Sequence, residues 1–304
     1  MFGDNRAPVC KVSLCVVKGI FGTRLISLPF SDYGGPLSDN TNLFEIGLTL
    51  SKAVDFLAVE HSARYVLFKS ASLGLAQVLL SKGFNTIRNL GTYVVDLNRP
   101  FSEIESGFAK DVRRRMRKGE QDGLEILDQQ DDDSIEEFYS IYLRDMKRHG
   151  SPPHNRRYFK RIWKTFGQSG ELRLVGCNYQ GNTIGFALHL LYKHTALFYM
   201  GVWPGNARRM GVPAFLIANS IKSFSEGGYR IYDFGRTVYP SSEAAFKQSF
   251  GGNYRSQNSL VRIYNGDEFL EQSNWKYRTL SNVLRVTPLA LLGKIGPMLK
   301  QQLE

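Results

Sequence analysis

The sequence predicts a mixed α/β protein. From Leu124 onward the hydrophobic pattern reads strand, two helices, three strands, helix, strand, helix, strand. The three consecutive strands are separated only by the short turns QGN and LYKHT, so they pair antiparallel, which a run of βαβ crossovers would not give. Residues 11–97 read as a shorter, worn version of the same mix. With 304 residues the chain has room for two modest domains or one large one.

Taken in order, residues 11–17 and 24–29 read as strands around the turn KGIFGT. The loop LPFSDYGGPL follows. Its Gly34-Gly35-Pro36 suits a turn on any protein, and the two glycines would also let a ligand approach bare backbone. Residues 42–63 are helical, with Leu43, Ile46, Leu50, Val54 and Leu57 at spacings of three and four. A strand at 65–69, a helix at 74–82 and a strand at 92–97 (TYVVDL) come next, and Pro100 closes that strand. Ser102 and Glu105 have capping-box spacing at the start of a helix over 102–119. A short strand covers 125–127. Residues 131–149 form an amphipathic helix, with Asp131, Asp132 and Asp133 at its positive end. SPPHN breaks the chain before a helix at 156–166. Strands at 171–179, 183–192 and 195–202, a helix at 212–225, a strand at 229–234, a helix at 244–250 and a strand at 260–264 complete the reading.

Composition narrows the function. Lys plus Arg number 39 and Asp plus Glu 28, a net charge of +11, which favours an anionic partner: nucleic acid, a phosphorylated substrate or anionic lipid. Three cysteines, Cys10, Cys15 and Cys177, do not make a disulfide scaffold and point to a reducing compartment. His189 and His194 lie an odd offset apart on a strand, so they face opposite ways and share no metal; no metal site is expected. Neither a signal peptide nor a run of the roughly 18 apolar residues of a membrane span is evident, and a cytoplasmic location is expected.

Three stretches carry chemistry. The first, FAKDVRRRMRKGEQDG, puts Lys110, Arg114, Arg117 and Lys118 on one side of a helix, where Arg114, Arg117 and Lys118 are candidate phosphate ligands. The alternative is a solvated face, and no aromatic residues alternate with the charges as single-strand stacking would require. The second, WPGNARRMGVPAFLI, runs from a strand end into a helix N-terminus, a natural anion site. Arg208, Arg209 and Gly211 approximate an R/Q-x-x-G-x-G/A loop, with Pro213 where Gly or Ala is expected. The third, YDFGRTVYPSSEAAFKQSFGG, gathers Asp233, Arg236, Tyr239 and Lys247 just past a strand end, a common site layout in α/β folds. A structural Asp–Arg pair is the alternative there.

In this order and spacing, LPFSDYGGPL, VRRRMRKGEQDGLEI and YDFGRT…FKQSFGG resemble the FemAB-related branch of the GNAT N-acyltransferase superfamily, from about residue 11 to the end. The resemblance implies two tandem GNAT-like mixed sheets flanked by helices: a first domain over 1–100, a second over 101–259, and a last strand with a basic apolar tail over 260–304 that packs back on the first domain or on a membrane. It also implies a cleft between the domains. Relative to the family a β-α-α portion before residue 11 is missing, which implies a first domain incomplete at its N-terminus. The activity implied is transfer of an acyl or aminoacyl group to an amine of a cell-envelope precursor, peptidoglycan or exopolysaccharide. Lys247 and Asp32 would be catalytic: the lysine neutralises an acceptor phosphate or the developing oxyanion, and the carboxylate orients the attacking amine or takes its proton. Tyr33, Gly34, Gly35, Tyr199, Asp233, Arg236 and Tyr239 would bind the acceptor, and Arg208, Arg209 and Gly211 the donor's phosphates. The donor is a co-substrate and no tightly bound cofactor is expected; acyl-CoA, acyl-carrier protein and aminoacyl-tRNA remain open. The partners expected are that anionic donor, tRNA among its forms, a phosphorylated or lipid-linked glycan acceptor, and an inner membrane face touched peripherally through residues 273–304. The competing reading is a basic nucleic-acid-binding or membrane-surface scaffold protein without catalysis.

Overall fold

The structure is a computed structural model that describes residues 10–19, 22–38, 42–129, 131–265 and 275–303. The tip of the KGIFGT turn and residues 273–274 of the tail lie outside the described residues. The chain divides into two compact units.

The smaller unit draws its described residues from 1–91, 256–274 and 301–304. Its five-stranded mixed sheet runs Leu14–Gly19, Gly22–Ser27, Ala63–Ala71, Asn258–Ile263, Asn85–Thr86. Gly22–Ser27 and Ala63–Ala71 are parallel, the other pairs antiparallel. Helices Leu43–Glu60 and Leu73–Ser81 bury Leu50, Val54, Leu75 and Leu79 against Leu25, Val66, Phe68 and Leu260. The predicted spacing of apolar residues supplies the inward stripe of the first helix.

The larger unit comprises the described residues of 92–255 and 275–300. Its sheet runs Thr237–Val238, Leu90–Asp96, Ile231–Asp233, Thr195–Val202, Asn182–Tyr192, Leu172–Tyr179, Leu124–Gln129, with Asn253–Ser256 also paired to Leu90–Asp96. The three central strands are the predicted antiparallel set. One face packs on helices Lys110–Gln121 and Val212–Glu226, the other on helices Asp132–His149 and Arg156–Ile162. Adjacent residues divide accordingly: Ala187 joins the first face, Leu188 the second.

Several expectations change. The strand over 92–97 lies in the larger sheet rather than in the first domain; with Asn258–Ile263 in the smaller one, neither sheet is continuous in sequence. The helix expected over 102–119 is two helices, Phe101–Ser106 and Lys110–Gln121, divided at Gly107. Pro100, not Ser102, occupies the first N-cap position, because its fixed φ suits the turn into the helix. The tail forms helices Trp275–Val286 and Leu289–Leu303, with Pro297 inside the second. Residues 275–300 of the tail belong to the larger unit, where Ser281 abuts Gly150 and Gly296 sits against Pro153, and its described end belongs to the smaller unit, where Arg24 donates to the Gln302 carbonyl at 2.9 Å.

Candidate functional site

The basic helix and the GNAT-like loop meet. Helix Lys110–Gln121 is amphipathic: Val112, Met116 and Gly119 are buried, and the charges face outward. Gly119 allows close packing, since a Cβ there would lie 2.6 Å from the Phe215 ring. That contact fixes the basic helix against helix Val212–Glu226. Gly211 is that helix's N-cap and has φ +81°, a left-handed conformation that glycine adopts without strain. The space beside its Cα is filled by the stem of Arg115, whose guanidinium reaches the Arg208 carbonyl at 3.5 Å.

Arg114, Arg115, Lys118, Arg209, Met210 and Gly211 thus line one pocket of about 160 Å³. An open basin of about 640 Å³ continues from it along Lys110, Arg113, Arg114, Arg117 and Lys118. Asp111 neutralises part of this field through Arg114 and Arg115 at 2.5 and 2.6 Å, and their hydrogen bonds hold its carboxyl below the usual range. Pro213 removes one first-turn N–H; by helix geometry Val212 and Ala214 keep theirs. Arg208 contributes its carbonyl to this arrangement, while its side chain is not among the groups lining the pocket.

The sheet opens nearby. Strand Thr195–Val202 pairs in parallel with Ile231–Asp233 only from Thr195 to Leu197. The strand itself continues to Val202. A register shift at Leu188/His189 bends the neighbouring strand. His189 is fully buried there, its Nε2 3.0 Å from the Tyr232 hydroxyl. Burial, then the Arg173 charge, pushes its pKa down to about 3, so the ring is neutral.

Asp233 stands where the strands part. Its Oδ1 accepts from the Thr92 hydroxyl at 2.5 Å and the Gly235 N–H at 2.8 Å. Lys247, only 5% exposed, donates to the carbonyls of Arg236 at 2.9 Å and Gly235 at 3.4 Å, and pairs with Glu243 at 2.7 Å. Its three protons are thereby engaged. The ammonium pins the loop after the strand and leaves Arg236 and Tyr239 exposed. The Tyr239 ring lies 5.5 Å from that of Tyr254, which meets Tyr93 edge-on at 5.5 Å. Burial, then the neighbouring Tyr239 and Tyr254 phenols, raises the Tyr93 pKa.

Tyr199 belongs to the opposite face of the sheet, where its hydroxyl is 2.5 Å from that of Tyr158 and His154 stacks on Tyr158 at 4.5 Å. Asp32, Tyr33, Gly34 and Gly35 belong to the smaller unit. A Cβ on Gly35 would lie 2.5 Å from the Ser70 carbonyl oxygen and one on Gly34 2.9 Å from that of Ser27. The glycines therefore admit the protein's own backbone, which corrects the expectation that they leave room for a ligand. Lys69 fastens this loop, donating to Leu28 and Ser31 carbonyls at 3.3 and 3.0 Å.

Thr92, Tyr93, Arg115 and Tyr254 were not singled out from the sequence. Tyr93 and Tyr254 read as ordinary strand and loop aromatics, and only the pairing of Asn253–Ser256 with Leu90–Asp96 brings them to Tyr239. Among the described residues no group of three or more His, Cys, Asp or Glu side chains is placed to hold a metal ion.

This architecture has known counterparts. Residues 106–248 match the acetyltransferase (GNAT) domain family, a range that contains the basic helix, the loop at Gly211 and Lys247. The fold beyond it is that of the Fem-type branch which the sequence resembles: FemX superposes with a TM-score of 0.60 at 12% identity, over 91% of this chain and 90% of that one. The C-terminal domain of a putative lysylphosphatidylglycerol synthetase from Agrobacterium fabrum gives 0.61 at 15% identity, over 91% and 84%. L-PGS from Bacillus licheniformis gives 0.58 at 12%, over 90% and 88%. At such identities the likeness is one of fold. No curated protein matches the sequence.

Proposed function

We propose that the protein is an N-acyl or aminoacyl transferase whose donor carries phosphates and whose acceptor is an amine of a cell-envelope precursor. The observation that carries this reading is the convergence of Arg114, Arg115, Lys118 and Arg209 at the N-terminus of helix Val212–Glu226, inside a GNAT domain. Helix N-terminal N–H groups and guanidinium forks are suited to a diphosphate or a nucleic-acid backbone. Acyl-CoA, acyl-carrier protein and aminoacyl-tRNA all present such anions.

The chemistry asks for positioning more than for a nucleophile on the enzyme. A neutral acceptor amine attacks the donor's thioester or ester carbonyl. Oxygen charge develops, the thiolate or ribose oxygen departs, and the amine's proton leaves with it. Strand Thr195–Val202 pairs with Ile231–Asp233 only as far as Leu197, and the backbone where the two strands part is the proposed source of N–H groups for that oxyanion. Arg236, in the same loop, and the paired Tyr239 and Tyr254 rings are proposed to bind a phosphorylated sugar. Lys247 acts as a positioning residue that holds their loop, and Asp233 anchors its start. Asp32 and Tyr33 are proposed as ligand contacts within the smaller unit.

Mass spectrometry of envelope glycans and their lipid-linked precursors, from cells with and without the gene, tests the reading. The expected result is an acyl or amino-acid mass increment that the wild type restores and Arg209→Gln restores poorly. With purified protein, Arg209→Gln raises the KM for the donor by roughly tenfold, the scale of one charged hydrogen bond, and leaves kcat nearly unchanged. Identical glycan masses in the two strains, with the protein well expressed, would sink the reading.

A further inference from the structure

The two C-terminal helices expose apolar side chains where a helix packed on a protein core would show polar ones. In helix Trp275–Val286, Val283 and Val286 are exposed three residues apart. In helix Leu289–Leu303, Ala290, Leu291, Lys294 and Met298 are all exposed and fall on one side. Val286 is 78% and Met298 67% exposed. Leu284 and Leu292 supply the opposite, buried sides, so the exposed residues are surplus to the packing of these helices.

Charge indicates what covers them. Residues 275–303 contain five basic side chains, Lys276, Arg278, Arg285, Lys294 and Lys300, and no acidic one. Arg285 and Lys294 are exposed beside the apolar residues. A protein partner or a second copy would need a matching acidic, apolar surface. A nucleic acid would use the cations and leave Leu291 and Met298 wet. An anionic bilayer satisfies both features: headgroups pair with the cations, and the acyl boundary takes the apolar side chains. Among the described residues no helix is long and apolar enough to cross a membrane, so the contact is one of lying on the surface.

We propose that the exposed sides of helices Trp275–Val286 and Leu289–Leu303 form a peripheral docking surface for an anionic lipid bilayer. The inference rests on exposure and charge and on no assignment of the reaction, so it survives if the transferase reading fails.

The full chain is tested by co-sedimentation with phosphatidylcholine vesicles, with and without phosphatidylglycerol. The wild type pellets with the anionic vesicles and stays in solution with the neutral ones. Arg285→Gln/Lys294→Gln weakens binding roughly thirtyfold, from about one kcal/mol per basic residue near the surface. Leu291→Gln/Met298→Gln weakens it by about tenfold or more. All four side chains are exposed, so folding is not at stake, and circular dichroism verifies it. The proposal is overturned if the wild type binds neither vesicle or both equally. It is also overturned if both double variants bind like wild type, or if only Arg117→Gln/Lys118→Gln loses binding. A short RNA duplex that binds in a manner sensitive to Arg285 and Lys294, with vesicle binding indifferent to Leu291 and Met298, would make the surface a polyanion site instead.

Discussion

Two loops, one in each unit, are fastened in the same way. After strand Gly22–Ser27 the chain turns through SDYGGP, and the Lys69 ammonium holds the Leu28 and Ser31 carbonyls. After strand Ile231–Asp233 it turns through GRTVYPS, and Lys247 holds the Gly235 and Arg236 carbonyls. Both lysines are about 5% exposed or less. The surroundings differ. The first loop is half-buried and wedged by Gly34 and Gly35 onto neighbouring backbone. The second is exposed over 238–241, and its lysine has a carboxylate partner, Glu243, that is itself 61% exposed. One fastening therefore holds a half-buried piece of fold, and the other holds a loop whose side chains at 238–241 are exposed.

The largest effect that distinguishes the loops is expected from Lys69→Met. It leaves two carbonyls without their donor in a loop that the glycine contacts prevent from swinging out to water. A loss of about 3 kcal/mol is expected in denaturant unfolding. Lys247→Met removes the same number of carbonyl contacts. There the exposed loop relaxes and Glu243 rehydrates, so about 2 kcal/mol is expected. Equal losses would break the comparison. For Lys247→Met any transfer activity should fall with a raised acceptor KM. A large fall in kcat at unchanged stability and KM would return Lys247 to the chemistry itself.

Acid gives a second contrast. His189 lies in the larger unit's core, with its folded pKa at about 3, below the ordinary 6.5. Between those values the unfolded chain binds a proton that the folded one does not. Stability is therefore full above pH 6.5 and is lost as pH falls toward 3, at about 1.4 kcal/mol per unit. A loss of about 2 kcal/mol by pH 5 is expected, and His189→Gln should flatten that slope. A slope that His189→Gln leaves untouched would assign the acid response to other groups.

The same contrast explains what the sequence could disclose. The helices at 42–63, 131–149 and 212–225 were legible because their apolar spacing persists over several turns; in the second, Asp131 does accept from Ser134 N–H at 2.7 Å, and Gly150 ends that helix with φ +67°. The basic helix and the loop at Gly211 were legible singly, as charge and as glycine placement. Their meeting was not, because it depends on Gly119 packing against Phe215. SDYGGP and FKQSFGG were read as facing a ligand because glycine, lysine and aspartate serve tight backbone packing and ligand binding alike. Composition cannot say whether a lysine's protons go to a substrate or to a carbonyl eleven residues back.

The smallest expected effect separates positioning from packing. Ser241 caps the helix that carries Lys247, accepting from the Ala244 N–H at 3.0 Å. Ser27 accepts from the Lys69 N–H at 2.8 Å and is fully buried. Ser241→Ala costs about 1 kcal/mol, because water reaches the freed N–H only in part. Ser27→Ala should cost somewhat more, since its freed N–H is buried. If the larger unit's loop is the ligand platform, Ser241→Ala should still shift the acceptor KM, because fraying the helix start displaces Lys247 and with it Arg236 and Tyr239. Ser27→Ala should leave KM alone at temperatures where the protein stays folded. A KM shift that follows Ser27 and not Ser241 would move the acceptor site to the loop at Asp32.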